Sequence, residues 1–167
     1  MSVQKRLMIH IFLCGGTFDK VYDPLAQALV LDVEQSSVGP ILVDSKMSGY
    51  TIHRVVCKDS LDMTDGDRAT LWGALDAHAD SPCVVVHGTD RLLDSARWSP
   101  RDSYPNTIVF TGSIVPHSLR HSDAAFNLGA AVVAAQTLAK GVWLVMHGRV
   151  FSPWLSVAKR GDRFEYS

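Results

Sequence analysis

Leu7-Met8-Ile9-His10-Ile11-Phe12-Leu13-Cys14 runs directly into Gly15-Gly16-Thr17. The run is apolar without clean alternation, as expected of a strand covered on both faces rather than one with a wet side. Lys5 and Arg6 precede it and give it the outward look of a signal peptide. The run is short, however, carries His10, and enters Gly-Gly-Thr rather than a small-residue cleavage site. It reads as a first strand, with Thr17 delivered at its carboxyl end.

Similar runs recur along the chain at Tyr50–Cys57, Cys83–His87, Thr107–Thr111 and Val142–His147. Helical patterns alternate with them. Thr64-Asp65-Gly66-Asp67 has the hydroxyl-x-x-acid form of a helix start, and Leu71, Trp72 and Leu75 follow at helical spacing. Asp123 to Leu138 is Ala-rich, with Phe126, Ala130, Val133 and Leu138 near one face and Gly141 as the stop. Glu34 to Met47 is a weaker helix, because Gly39-Pro40 interrupts it. Strand–helix alternation with short connections predicts a mainly parallel sheet with helices on both faces. The expected fold is one α/β domain over residues 1–167, a three-layer α/β/α sandwich of flavodoxin/Rossmann-like type.

Composition narrows the function. The chain carries 16 basic and 17 acidic residues in 167, for a net charge of −1. No basic stripe is present, so nucleic acid is not an expected partner. No stretch approaches the roughly 20 apolar residues needed to span a bilayer. A small, nearly neutral ligand fits this balance. Cys14, Cys57 and Cys83 match no zinc spacing and read as buried reduced thiols of a cytoplasmic protein.

In an open parallel sheet, ligands bind beyond the carboxyl ends of the strands. The residues leaving the predicted strands are Gly15-Gly16-Thr17, Asp59-Ser60, Gly88-Thr89-Asp90, Thr111-Gly112-Ser113 and His147-Gly148-Arg149. Glycine lets backbone approach a ligand, and hydroxyls supply nucleophiles and hydrogen bonds. Any one exit is ordinary turn chemistry; together they predict one assembled pocket. Gly15-Gly16 is not followed by the further glycines or the Gly-Lys-Ser/Thr of a nucleotide loop. His117 and His121 are spaced to share a helix face, yet the Glu of the zinc-protease pattern is missing. No metal or other cofactor is therefore expected. Hydroxyl nucleophile chemistry remains, without the Gly-x-Ser-x-Gly elbow of common serine hydrolases.

In their order, these segments resemble the bacterial-type L-asparaginases. Gly15-Gly16-Thr17 is similar to the first signature of that family and His87-Gly88-Thr89-Asp90 to the second. Asp59-Ser60-Leu61-Asp62-Met63 resembles its substrate-binding segment. Phe110-Thr111-Gly112-Ser113 with Pro116, Asp123 with Phe126-Asn127-Leu128, and Gly148-Arg149-Val150 with Val157-Ala158-Lys159 complete the match. The resemblance runs from Leu7 to Lys159 and is to the amino-terminal domain of the longer, two-domain members. It implies a short-chain form without the polar groups that a second domain brings to the substrate.

The resemblance also implies roles. Thr17 is the nucleophile on the side-chain amide of L-asparagine, and Tyr22 lies on a mobile covering loop. Thr89, Asp90 and Lys159 form a hydroxyl–carboxylate–amine group. Gly16, Ser60, Leu61, Gly88, Asp90 and Ser113 bind substrate. A lysine beside a buried hydroxyl can lose its proton and act as a base, and backbone N–H groups around Gly88-Thr89 suit an oxyanion. The segment from Phe18 to Val33 shows little helical or strand pattern and reads as the lid. Self-association is expected, with Phe151 and Trp154 as interface candidates because they fall outside any helix or strand pattern. Two rivals stand beside this reading: a binding module that senses an amino acid without turnover, and a phosphate or nucleotide binder of flavodoxin-like fold.

Overall fold

A computed structural model describes residues 8–99 and 103–167. The strands β1 (Ile9–Leu13), β4 (Tyr50–Arg54), β5 (Cys83–Val86), β6 (Thr107–Thr111), β7 (Gly141–Met146) and β8 (Arg149–Phe151) form one sheet, in the order β4-β1-β5-β6-β7-β8. Every neighbouring pair is parallel except β7 with β8. Counted alone and in chain order, the parallel strands run 2-1-3-4-5, the flavodoxin order. The predicted fold class holds. Leu7, the first residue of the predicted strand, lies outside the described residues.

Alternation along each strand sorts its side chains into two cores. One face carries Phe12, Val85, Ile108, Phe110 and Leu144, covered by α2 (Asp65–Asp76) through Leu71, Trp72 and Leu75 and by α3 (Leu92–Arg97) through Leu92 and Ala96. The other carries Ile9, Ile11, Leu13, Val84, Val86, Val109 and Val145, covered by α1 (Val38–Asp44) and α4 (Ala124–Thr137). Burial on both faces explains why the strands read as continuous apolar runs. The fully buried Trp72 also donates its indole N–H to the Ser95 carbonyl at 2.9 Å, which fixes α2 against α3.

Local sequence accounts for the helix starts. Thr64 and Asp67 make a reciprocal capping box at α2, as its hydroxyl-x-x-acid pattern predicted. Pro40 does not prevent α1, because it falls in the first turn, where its missing N–H has no helical partner to lose. The start of α1 is held from outside: the Asp19 carboxylate accepts hydrogen bonds from the Ser36 hydroxyl and the Ser37 N–H.

Several expectations are corrected. The segment from Phe18 to Val33 is not patternless. It holds the antiparallel hairpin of β2 (Lys20–Asp23) and β3 (Ala28–Leu31), turned at Asp23, whose carboxylate accepts the N–H groups of Leu25 and Ala26. In α4 the buried residues include Ala124, Asn127, Leu128, Ala131 and Ala135, whereas Phe126 and Val133 are exposed. Phe151 lies in β8 and is fully buried in its own core; Trp154 is exposed. Cys57 is exposed, unlike Cys14 and Cys83. His117 and His121 lie in turns rather than on a helix. The chain then forms a second hairpin from β9 (Val157–Arg160) and β10 (Arg163–Tyr166).

Candidate functional site

The strand order reverses between β1 and β5, so their exits flank the switch point of the sheet. Contact there is made through backbone. Gly16 has φ +97°, and a Cβ on it would lie 2.3 Å from Gly88 Cα and 2.5 Å from Gly88 N. A Cβ on Gly88 would in turn lie 2.7 Å from both Cβ and Oγ of Ser60. One on Gly112 would lie 2.3 Å from the His87 carbonyl oxygen and 3.3 Å from Thr89 Cγ2. Three successive glycines thus let the exits of β1, β4, β5 and β6 press together. The hydroxyl residues Thr17, Ser60, Thr89 and Ser113 ride on those same loops.

Each of these residues has a local cause for its position. Thr17 begins a 3-10 turn over Thr17–Asp19, whose next residue, Phe18, is fully buried. Asp19, also buried, ties this turn to α1, and burial pushes its carboxyl above the usual range against those hydrogen bonds. Ser60 is buried at the head of a 3-10 turn, Ser60–Asp62, capped by Asp59 through the Leu61 N–H. Leu61 itself is exposed. The Lys20 ammonium donates to Asp59 at 2.6 Å and holds its carboxyl below the usual range. That ion pair also ties the β2–β3 hairpin to the β4 exit. Thr89 is buried, and Asp90 beside it is exposed. Neither caps α3, which begins after Arg91 without a side-chain cap.

Lys159 arrives from β9 and ion-pairs with Asp90. The structure thereby joins two predicted residues that lie far apart in the chain. Tyr22 sits on β2, 58% exposed, opposite Leu29. Ser113 Oγ is fully buried with no hydrogen-bond partner among the described residues, as is His87 Nε2. The His87 ring, wholly buried, directs Nδ1 to the Gly88 carbonyl at 2.7 Å; burial pulls its pKa down to about 4, so it is neutral at physiological pH.

The sequence reading missed the brace behind the site. Asn127 donates to the Gly112 carbonyl at 3.0 Å and accepts the His147 N–H at 3.1 Å, so one amide clasps the exits of β6 and β7. Asp123 accepts the N–H groups of Ile114 and Val115 and the Asn127 amide. Buried amides in apolar helices signal such clamps, but their partners lie across the fold. Beside this brace opens a polar cavity of about 520 Å³, lined in part by Asp123, His147, Arg149 and Phe164.

The flavodoxin-order sheet, with hydroxyls, a carboxylate and an amine on the loops at its switch point, defines a doubly wound α/β protein with a candidate site at its strand ends. Residues 8–164 match the family described as Asparaginase, N-terminal, and the chain belongs to that family. It is similar to a glutamyl-tRNA(Gln) amidotransferase component of Aeropyrum pernix, at 29% identity over 174 residues, covering 93% of this chain and 38% of that protein. Among solved structures, L-asparaginase I of Vibrio cholerae matches with a TM-score of 0.79 and 26% identity, over 96% of this chain and 51% of that one. A probable cytoplasmic L-asparaginase of Campylobacter jejuni shares the fold, with a TM-score of 0.78 at 20% identity, over 95% of this chain and 52% of that one. The chain thus spans 38% of the curated relative and about half of these solved structures. No helix among the described residues is long and apolar enough to cross a membrane.

Proposed function

We propose that this chain is an amidohydrolase that converts L-asparagine to L-aspartate and ammonia through an acyl-enzyme on Thr17, with residues 1–167 as its catalytic domain. The observation that carries the proposal is the glycine-mediated packing of the Thr17, Ser60 and Thr89 loops at the switch point, with Lys159 brought onto Asp90. Family membership and the likeness to L-asparaginase I of V. cholerae support it.

Thr17 Oγ attacks the side-chain amide carbon, and its proton passes to a base. The amide nitrogen leaves as ammonia after protonation, and water then hydrolyses the ester. A threonine hydroxyl needs activation at neutral pH. Lys159, acting with the Thr89 hydroxyl, is the base of this scheme. The Asp90–Lys159 ion pair must part before Lys159 can turn to the hydroxyls. The α-ammonium of asparagine is the group that competes for Asp90, so substrate binding would release the base. Ser60 and the Leu61 and Gly16 backbone hold the α-carboxylate. Gly88 and Thr89 N–H groups meet the oxyanion, and the backbone carbonyl at Ser113 meets the leaving amide nitrogen. Tyr22, on the hairpin, closes over Thr17. The setting is cytoplasmic and self-associating, and Trp154 remains the exposed aromatic of the pair expected at an interface.

Ammonia release from asparagine and glutamine tests the proposal and separates it from a binding module, which would bind asparagine and release none. Glutamine belongs in the assay because the archaeal relative is named for amidotransfer. Asparagine is expected to be preferred about a hundredfold in kcat/KM, since one extra methylene misplaces the amide carbon relative to the anchored α-groups. Equal values for the two amides would show that the anchors lie elsewhere.

A further inference from the structure

At the β4 edge of the sheet, on the face that α2 covers, three histidines from three elements meet. His10 is the second residue of β1, His53 lies in β4, and His78 follows the last turn of α2. Their ring centroids are 5.1, 4.2 and 4.6 Å apart, and each ring is half-buried. One ring nitrogen from each lies within 4.8 Å of the other two. Parallel pairing produces part of this: His53 stands opposite Phe12, whose ring stacks on it at 4.8 Å, and His10 is two residues before Phe12 on the same face. The helix then lowers His78 onto both.

From this arrangement we propose a divalent transition-metal site, of the borderline class that imidazole selects, held by His10, His53 and His78. The hydrogen bonding suits ligation. His78 Nδ1 lies 2.9 Å from the Ala74 carbonyl, which can only accept. Nδ1 therefore carries the proton and Nε2 keeps its lone pair, the orientation in which metal-bound histidines are commonly fixed. His10 Nδ1 and His53 Nε2 face each other at 2.8 Å and share one proton. When a metal enters, that proton moves through solvent to the other nitrogen of its ring, so two lone pairs face the ion and no net proton is lost. Tetrahedral zinc–nitrogen bonds of about 2.0–2.1 Å place ligand atoms about 3.3 Å apart. The 2.8 Å pair needs to open by only about half an ångström to meet this. Asp80 adds negative charge that acts on His10. Half-exposure leaves a fourth position for water.

Such an ion would staple the edge strand β4 to β1 and to the end of α2, and none of its three ligands is among the residues assigned to the chemistry. Its effect is expected on stability rather than on turnover. The test uses the full chain, stripped with chelator and titrated with zinc chloride by calorimetry and thermal denaturation, and with cobalt(II) by absorption. One ion per chain should bind, raising Tm by roughly 5–10 °C at a hundredfold excess over the dissociation constant. Cobalt should give a tetrahedral visible band without a thiolate charge-transfer band. His78→Gln, in a surface turn, should weaken binding at least tenfold while keeping the native circular dichroism spectrum. His53→Gln should do the same, and if it does not fold, His78→Gln and the cobalt spectrum decide. No binding by the wild-type chain, unchanged affinity in His78→Gln, or a thiolate band from the exposed Cys57 would each overturn the site.

Discussion

Gly16 and Gly112 are the two tightest glycine joints among the described residues, and Gly16 alone of the two also has a positive φ. Its φ of +97° lies where a side chain is strained, and a Cβ there would occupy the place of the Gly88 backbone. Neither neighbour can yield, because Gly88 is itself pressed on Ser60. Gly16→Ala should therefore cost about 3 kcal/mol or more in urea denaturation. It should also remove activity, because the Thr17 and Thr89 loops must separate to admit the methyl. A variant with wild-type stability would show that the loops do not touch as described. At this scale the sequence marks Gly-Gly-Thr, Ser60, Thr89-Asp90 and Lys159 as candidates, and the fold packs their loops through Gly16 and Gly88 and brings Lys159 to Asp90. What escaped was support from behind. Asp19 and Asn127 bind backbone atoms well away in the chain, and a sequence shows no partner for them; the buried His87 ring instead turns onto the carbonyl of its neighbour Gly88, which no sequence pattern marks. The three histidines of the β4 edge escaped for the same reason as Asp19 and Asn127. His117 and His121 stand closer together in sequence, but no helix joins them.

The long elements were legible as elements because the sheet buries both faces of its central strands, β1, β5 and β6, and a capping box marks the start of α2. Short ones were not. Strands β2 and β3 have four residues each and are exposed or half-buried, so no apolar period marks them. In α4 the exposed Phe126 outranks Ala131 in hydrophobicity, yet alanine is what lets a helix lie close to a sheet. The hairpin carries Tyr22 of the proposed mechanism. It is tied by the Lys20–Asp59 ion pair and by the Ser118 hydroxyl, which donates to the Lys20 carbonyl at 2.7 Å. A lid that moves must do so beyond these ties, at the Tyr22 and Asp23 end. Tyr22→Phe should then lower kcat by tenfold or more with little change in KM, because the ring still packs and only the hydroxyl is lost. Steady-state kinetics on asparagine check this; a raised KM with unchanged kcat would make Tyr22 a binding residue.

For the whole molecule, a mainly parallel sheet was foreseeable from strand–helix alternation, but its strand order and the switch point between β1 and β5 came only with the fold. The second hairpin, β9–β10, was not, since its strands follow no pattern until they pack on the fold. Global stability should carry the mark of His87. Unfolded, this histidine titrates near 6.5; folded, its pKa is about 4. Between those values the unfolded chain binds a proton that the folded chain refuses. Stability therefore falls as pH drops from about 6.5 to about 4, by up to about 3 kcal/mol from this group. His10 and His53, lowered chiefly by burial, pull in the same direction. Urea denaturation across that range should show the loss, and His87→Asn should flatten part of it; an unchanged slope would mean that His87 is not buried neutral. The central claim is the nucleophile. The direct measurement is acid-quenched peptide mapping during turnover of asparagine, with ammonia release followed in parallel for wild type and Thr17→Ala. The account predicts an aspartyl ester on Thr17 in the wild-type chain and loss of several orders of magnitude of turnover in the variant. An unmodified Thr17, with Thr17→Ala keeping more than about a tenth of the wild-type rate, a barrier change of only about 1.4 kcal/mol, would contradict it.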